Sequence, residues 1–147
     1  MNQEHFDKAK LSLDKGINLL VCNVWVDDNF KGEFNLFDNH FDAALKIIDW
    51  HVRHNIKLAI KLHPHNKEYK VEYGDKLILD KIRLNKSVLM DVSKYTFESL
   101  MPYTDVIISG GGSCVLEAAK QGKSTLCYCD NSFKNLGFSI TPCLLSD

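Results

Sequence analysis

Asp105-Val106-Ile107-Ile108-Ser109-Gly110-Gly111-Gly112-Ser113-Cys114-Val115-Leu116-Glu117-Ala118-Ala119-Lys120-Gln121 is the stretch on which the reading of this chain turns. Asp105 to Ser109 is an apolar run that reads as a strand, and 114 to 121 reads as a helix. Between them stand three glycines flanked by the hydroxyls of Ser109 and Ser113. A strand that ends in bare backbone and opens a helix brings unpaired N–H groups to a helix N-terminus, which is a site for phosphate or another anion. The plainer alternative is a tight turn that lets the helix pack closely on the sheet. A shorter turn would serve that purpose, and the two serines add donors where an anion would sit.

Two familiar nucleotide motifs fail at named positions. A dinucleotide fingerprint starting at Gly110 needs a glycine at 115, where the chain has Val115, and no early βαβ unit supplies the acidic ribose partner; Asp130 ends a later strand. Gly122-Lys123-Ser124-Thr125 imitates the end of a phosphate-binding loop, but that motif requires a glycine where Glu117 stands. Its lysine would also have to open a helix, and here it opens a strand.

Outward from this stretch, strands and helices alternate. Ile17 to Val26 reads as a buried strand followed by the polar loop Asp27-Asp28-Asn29 with Gly32. Asp38 or Asn39 caps a helix through His54, with Phe41, Ala44, Leu45, Ile48 and Val52 at helical spacing. Ile56 to Leu62 is the next strand, stopped at His63-Pro64-His65-Asn66 because proline cannot donate to a ladder. Residues 67–86 read as a loop and a short helix. Val88 to Val92 is a strand, Thr96 to Tyr103 a short helix capped near Thr96 or Ser93, and Lys123 to Cys129 a strand after a turn at Gly122. Residues 1–15, with a weak apolar face, read as a helical or linker segment, and 16–147 as one domain. Near-continuous apolar strands joined by helices predict a Rossmann-like three-layer α/β/α sandwich with a mainly parallel sheet. Ligands of such sheets gather at the carboxyl ends of strands, where the strand order switches.

The composition, 45% apolar and 25% charged over 147 residues, is that of an ordinary globular domain. A net charge of -1 argues against bulk attraction to nucleic acid or anionic lipid. No apolar run approaches the roughly 20 residues of a membrane span, and the first residues lack a signal-peptide core. The expected location is cytoplasmic, with any place at the inner face of the membrane reached through partners. Cys22, Cys114, Cys127, Cys129 and Cys143 form no CxxC pair and read as buried or idle thiols rather than disulfides or metal ligands.

His63 and His65 flank a proline at a strand end, where the fixed loop aims the rings, and at least one is expected to contact an anion. Lys61 shares a face with His63 by strand alternation and would add positive potential or be solvated. Glu117, one turn after Ser113, is placed to accept from a ribose diol, or else is a solvated helix glutamate. His51 and His54 read as surface residues at a helix C-terminus, and Asp27 and Asp28 as solvated loop acids.

Lys61-Leu62-His63-Pro64-His65, Asp91-Val92-Ser93, Leu100 through Ser109, and Ser113-Cys114-Val115-Leu116-Glu117-Ala118-Ala119-Lys120-Gln121-Gly122-Lys123 together resemble the C-terminal, donor-binding half of GT-B glycosyltransferases of the bacterial capsule and surface-polysaccharide type. The resemblance covers roughly residues 17–130. It implies half of a GT-B fold that binds a CMP- or UDP-linked sugar as substrate, with no separate cofactor and no metal. His63, with His65 beside it, and Ser109, Gly110, Gly111, Gly112 and Ser113 would then hold the nucleotide phosphate, and Glu117 the ribose. The acceptor, a glycan or lipid-linked sugar, would be bound by a second domain or a partner subunit. Non-hydrolysing UDP-sugar 2-epimerases show a similar strand end and loop, but tend to carry adjacent acidic residues where this chain has Glu117 alone. A non-catalytic nucleotide-sugar-binding subunit is the third reading.

Overall fold

Leu19 and Leu20 are adjacent in β1 (Ile17–Val21), both fully buried, and belong to different hydrophobic clusters. Only a strand covered on both faces buries two successive side chains in this way, because neighbouring residues of a strand point to opposite sides. The computed structural model describes residues 16–26, 37–129 and 136–140. The segment 1–15, the loop Asp27-Asp28-Asn29 with Gly32, Asp130 and Cys143 lie outside the described residues.

The remaining strands are β2 (Leu58–Lys61), β3 (Leu89–Asp91), β4 (Thr104–Ser109), β5 (Ser124–Cys127) and β6 (Ser139–Ile140). Between them run the helices α1 (His40–His54), α2 (Glu72–Leu84), α3 (Phe97–Leu100) and α4 (Ser113–Lys120). All pairings are parallel, in the order β3-β2-β1-β4-β5-β6. Leu20, Leu58, Ile60 and Ile108 pack against Ala43, Ala44 and Ile48 of α1 and Ile78 and Ile82 of α2. On the other face Leu19, Ala59 and Ile107 meet Leu100 of α3, Met101 and Ala118 of α4. The chain is therefore a Rossmann-like α/β/α sandwich. The steps β1 to β2 and β4 to β5 run in opposite directions along the sheet, and their helices cover opposite faces, as a single handedness of crossover requires. The order switches between β1 and β4.

Helix α1 begins where Asn39 accepts the Asp42 N–H at 2.8 Å, a cap worth about 1 kcal/mol. It ends at Asn55, whose left-handed backbone (φ 53°) returns its N–H to His51 and Val52 carbonyls. Gly122 (φ 70°) turns the chain after α4, one residue beyond the capping Gln121.

Four expectations are corrected. Strand β1 stops at Val21, not Val26, because Val21 is level with Ser109, where β4 gives way to the glycine run. Cys22 still donates to Lys61 O at 2.9 Å, after which Asn23 turns its side chain to Gly110. Strand β5 likewise ends at Cys127. Helix α2 spans 13 residues, where residues 67–86 had read as a loop and a short helix. Gly74 lies inside it at a close approach to Trp25: a Cβ there would come within 2.9 Å of the indole nitrogen. His51 is not a surface residue: it is 3% exposed, with Nε2 3.0 Å from Asn18 Nδ2 and Nδ1 2.8 Å from Ile47 O. Strand β6 had no readable signal in so short a run.

Candidate functional site

Val21 pairs with Lys61 on one side and Ser109 on the other. The loop after β2 and the loop after β4 therefore leave the same carboxyl edge at the same level, two strand spacings, roughly 10 Å, apart. The end of β1 lies between them at the switch in strand order, where open parallel sheets hold ligands.

The loop after β2 is a 3₁₀ turn, Pro64–Asn66, with Pro64 at its first position and His63 at its cap. The backbone N–H of His65 donates to His63 Nδ1 at 3.2 Å. A ring nitrogen that accepts carries no hydrogen, so in the neutral ring the proton sits on Nε2, a donor. His63 is half-buried, whereas His65 is exposed, edge-on to His63 with centroids 5.1 Å apart and 4.0 Å from Glu68. Asn66 anchors the turn from below. Fully buried, it accepts the Trp25 N–H at 3.2 Å and donates to Asp75 Oδ1 at 2.8 Å, which also takes the Trp25 indole N–H at 2.8 Å. Ser93 Oγ completes the support by accepting the Leu62 N–H at 3.0 Å. Lys61 is spent on the neighbouring loop, donating to the carbonyls of Ser93 (3.2 Å) and Tyr95 (2.5 Å). Partial burial holds its ammonium below the usual lysine range, against the opposing pull of Asp91.

On the other side the three glycines have three different tasks. Gly110 is buried; a Cβ on it would lie 2.6 Å from His40 Cε1 and 2.8 Å from Asn23 Oδ1. Gly111 takes φ 101°, a conformation that side chains disfavour. Gly112 is the N-cap of α4, in extended backbone, and contributes no side-chain oxygen to the helix start. The Val115 N–H turns back to Gly112 O at 3.0 Å, and the N–H groups before it have no side-chain cap, the property that makes a helix start receptive to anions. Ser113 is exposed there, and Glu117 is half-buried one turn further along the same face. Ser109 is placed differently from Ser113: it is 1% exposed, its hydroxyl 3.4 Å from Asn23 Oδ1 and accepting from Cys114 Sγ at 3.4 Å. It braces the loop from beneath.

Three residues that the sequence reading did not single out close this underside. Asn23 Oδ1 accepts the Gly110 N–H at 3.1 Å and the Tyr128 hydroxyl at 3.4 Å. His40 Nδ1 lies 3.3 Å from the same hydroxyl. Burial pushes the Tyr128 phenol well above its ordinary value, so the hydroxyl keeps its proton. Cys129 Sγ donates to Gly110 O at 2.6 Å. Burial also raises the Cys22 and Cys114 thiols, which makes both poor nucleophiles. The one signal available in the sequence was Asn23 itself, a carboxamide interrupting an apolar run.

Among the described residues no group of three or more His, Cys, Asp or Glu converges on a metal-sized site, and no helix is long and apolar enough to cross a membrane. The carboxyl edge of the sheet thus carries a ring donor on one side of the end of β1, and the helix-start N–H groups and a carboxylate on the other. Such a set can hold an anion on one part and hydroxyls on another.

No protein-family model matches the sequence, and no curated protein matches it. Solved structures do match. The beta Kdo 2,7 transferase KpsC of Thermosulfurimonas dismutans superposes with a TM-score of 0.58 at 16% identity, over 98% of this chain and 47% of that one. A variant of the wall teichoic acid polymerase TagF superposes with a TM-score of 0.50 at 18% identity, over 85% of this chain and 29% of that one. The chain thus spans less than half the length of either, and at these identities the likeness is one of fold.

Proposed function

We propose that the chain is the nucleotide-sugar-binding half of a GT-B-type glycosyltransferase acting in surface or capsular polysaccharide synthesis. The observation that carries this reading is the shared level of Lys61 and Ser109 on either side of Val21, from which the His63 turn and the Gly111–Ser113 loop leave the same carboxyl edge of the sheet. The nucleotide phosphate would lie between His63 Nε2 and the start of α4, with His65 at the rim and the ribose at Glu117. Gly110 and Ser109 would shape the loop rather than touch the ligand.

In transfer, negative charge builds on the leaving phosphate. Fixed donors aimed at that charge stabilise the transition state more than the ground state, and no covalent nucleophile is needed. The raised thiols of Cys22 and Cys114 fit that scheme. The acceptor and the catalytic base would come from a second domain or a partner. In both matched enzymes the likeness to this chain takes up less than half the protein.

Calorimetric titration of CMP, UDP and GDP, free and sugar-linked, tests the reading. Binding of a CMP- or UDP-linked sugar, weakened at least tenfold by His63→Ala, is the expected result. No binding of any of them at millimolar concentration sinks it.

A further inference from the structure

Asn23 has a side chain whose orientation the chemistry decides. The Gly110 backbone nitrogen can only donate, so the atom 3.1 Å from it is the carboxamide oxygen. The Tyr128 hydroxyl and the Ser109 hydroxyl, both 3.4 Å away, gather on the same oxygen. With Oδ1 held in this way, Nδ2 is turned away from Gly110. No acceptor among the described residues takes its two hydrogens, and the group reaches solvent instead of being sealed in the core. Asn23 stands two residues beyond the end of β1, in the strand position between those that lead into the His63 turn and the glycine loop. A half-buried carboxamide with one end fully used and the other unused, at the switch in strand order, is a pre-oriented donor. It has already lost the rotamer freedom that a flexible side chain would lose on binding.

We propose that Asn23 is a ligand-contacting residue of this site: its oxygen fixes the glycine loop, and its Nδ2 donates to a phosphate oxygen of the bound nucleotide. The inference rests on the nucleotide-sugar reading and adds to it a neutral donor at the switch in strand order. One residue thereby couples the shape of the loop to the ligand that the loop receives.

Asn23→Asp separates the two roles. The carboxylate still accepts from Gly110, but it replaces the outward donor with a negative oxygen that repels phosphate. The full chain and the variant are titrated with CMP and UDP by calorimetry at pH 7.5 and pH 5.0, with thermal midpoints recorded for both. A hydrogen bond to a charged group contributes about 1.5–3 kcal/mol, so the variant is expected to bind about 10- to 100-fold more weakly at pH 7.5. The deficit should narrow at pH 5.0 as the carboxylate begins to take up a proton. A residue that acts only through the loop would show the same deficit at both pH values, and that outcome overturns the proposal. In the wild type, the Asn23 side-chain amide resonances should move on titration with UDP; unmoved resonances overturn it even if the variant fails to fold. Wild-type binding that Asn23→Asp matches within twofold removes this inference alone. Absence of wild-type binding removes both it and the reading it rests on.

Discussion

Gly110 and His40 are in contact so close that no side chain fits between them: a Cβ on Gly110 would stand 2.6 Å from the Cε1 of the His40 ring and 2.9 Å from Nδ1. His40 opens α1 and is fully buried, so the ring has little room to withdraw. Gly110→Ala is therefore expected to destabilise the fold by about 1–3 kcal/mol, the usual cost of overpacking. Urea denaturation measures this directly, and an unchanged midpoint would show that the ring gives way freely.

Gly112 and Gly111 should respond differently from Gly110 and from each other. The nearest atom to a Cβ on Gly112 is Cys114 Sγ at 4.0 Å, and its φ of −70° suits any residue. Gly112→Ala should change stability by less than about 1 kcal/mol, because the gain from restricting the unfolded chain is offset by the poorer N-cap preference of alanine. Gly111→Ala, at φ 101°, should cost about 1–3 kcal/mol in backbone strain. Equal effects at the two positions, read from urea midpoints, would contradict this division of labour.

Asn66 holds the His63 turn to the body of the protein through Trp25 and Asp75. Asn66→Ala leaves the buried Trp25 N–H without that acceptor, at a cost of about 1–3 kcal/mol. Because the turn carries His63, nucleotide affinity should fall together with stability. His63→Gln, by contrast, should reduce affinity while moving the melting temperature little, since His63 is only half-buried. Measuring both quantities on both variants is decisive: an Asn66→Ala protein that binds normally would mean the turn is held without Asn66, by Pro64 and Ser93.

Most of the architecture could be read from patterns with one dominant cause. The helical spacing of Ala44 and Ile48, the cap at Asn39 and the proline stop at Pro64 each follow from local physics, and each is found in place. What could not be read depended on partners distant in sequence. Trp25 makes Gly74 acceptable inside a helix, Ser109 ends its hydrogen-bonded level with Val21, and Asn18 draws His51 into the interior. The candidate site divides along the same line. The histidine-proline turn and the glycine run were visible as motifs, whereas the role of Gly110 as a packing position depends on His40, 70 residues earlier in the chain.

Glu117 offers a contrast between the two parts of a nucleotide. Placed one turn into α4, beyond the anion-receptive start, it should contact hydroxyls rather than phosphate. Glu117→Gln is expected to weaken UDP binding several-fold while leaving inorganic pyrophosphate affinity unchanged or slightly improved, because a negative charge near the anion is removed. Titration calorimetry with both ligands checks it, and a parallel loss for both would place Glu117 in loop maintenance instead.

His51 should make stability depend on pH. Ile47 O can only accept, so Nδ1 carries the hydrogen and Nε2 accepts from Asn18 Nδ2. A proton on Nε2 would face that amide as donor against donor. Burial, the larger cause, and the nearby His54 hold the ring below its ordinary value, against the opposing bond to Ile47. Trp50 lies edge-on at 5.1 Å, and Lys46 and Arg53 line the same groove of about 570 Å³, with no carboxylate among its described lining residues to favour the charged ring. Between the ordinary histidine value of about 6.5 and the lower native one, the unfolded chain binds more protons than the folded chain. Stability therefore falls as pH drops through about 6.5 and levels off once the native ring is itself protonated. Urea midpoints at pH 7.5 and 5.5 should show this fall in the wild type and a smaller one in His51→Gln, whose amide does not titrate. Equal falls in the two proteins would assign the pH dependence to the other histidines.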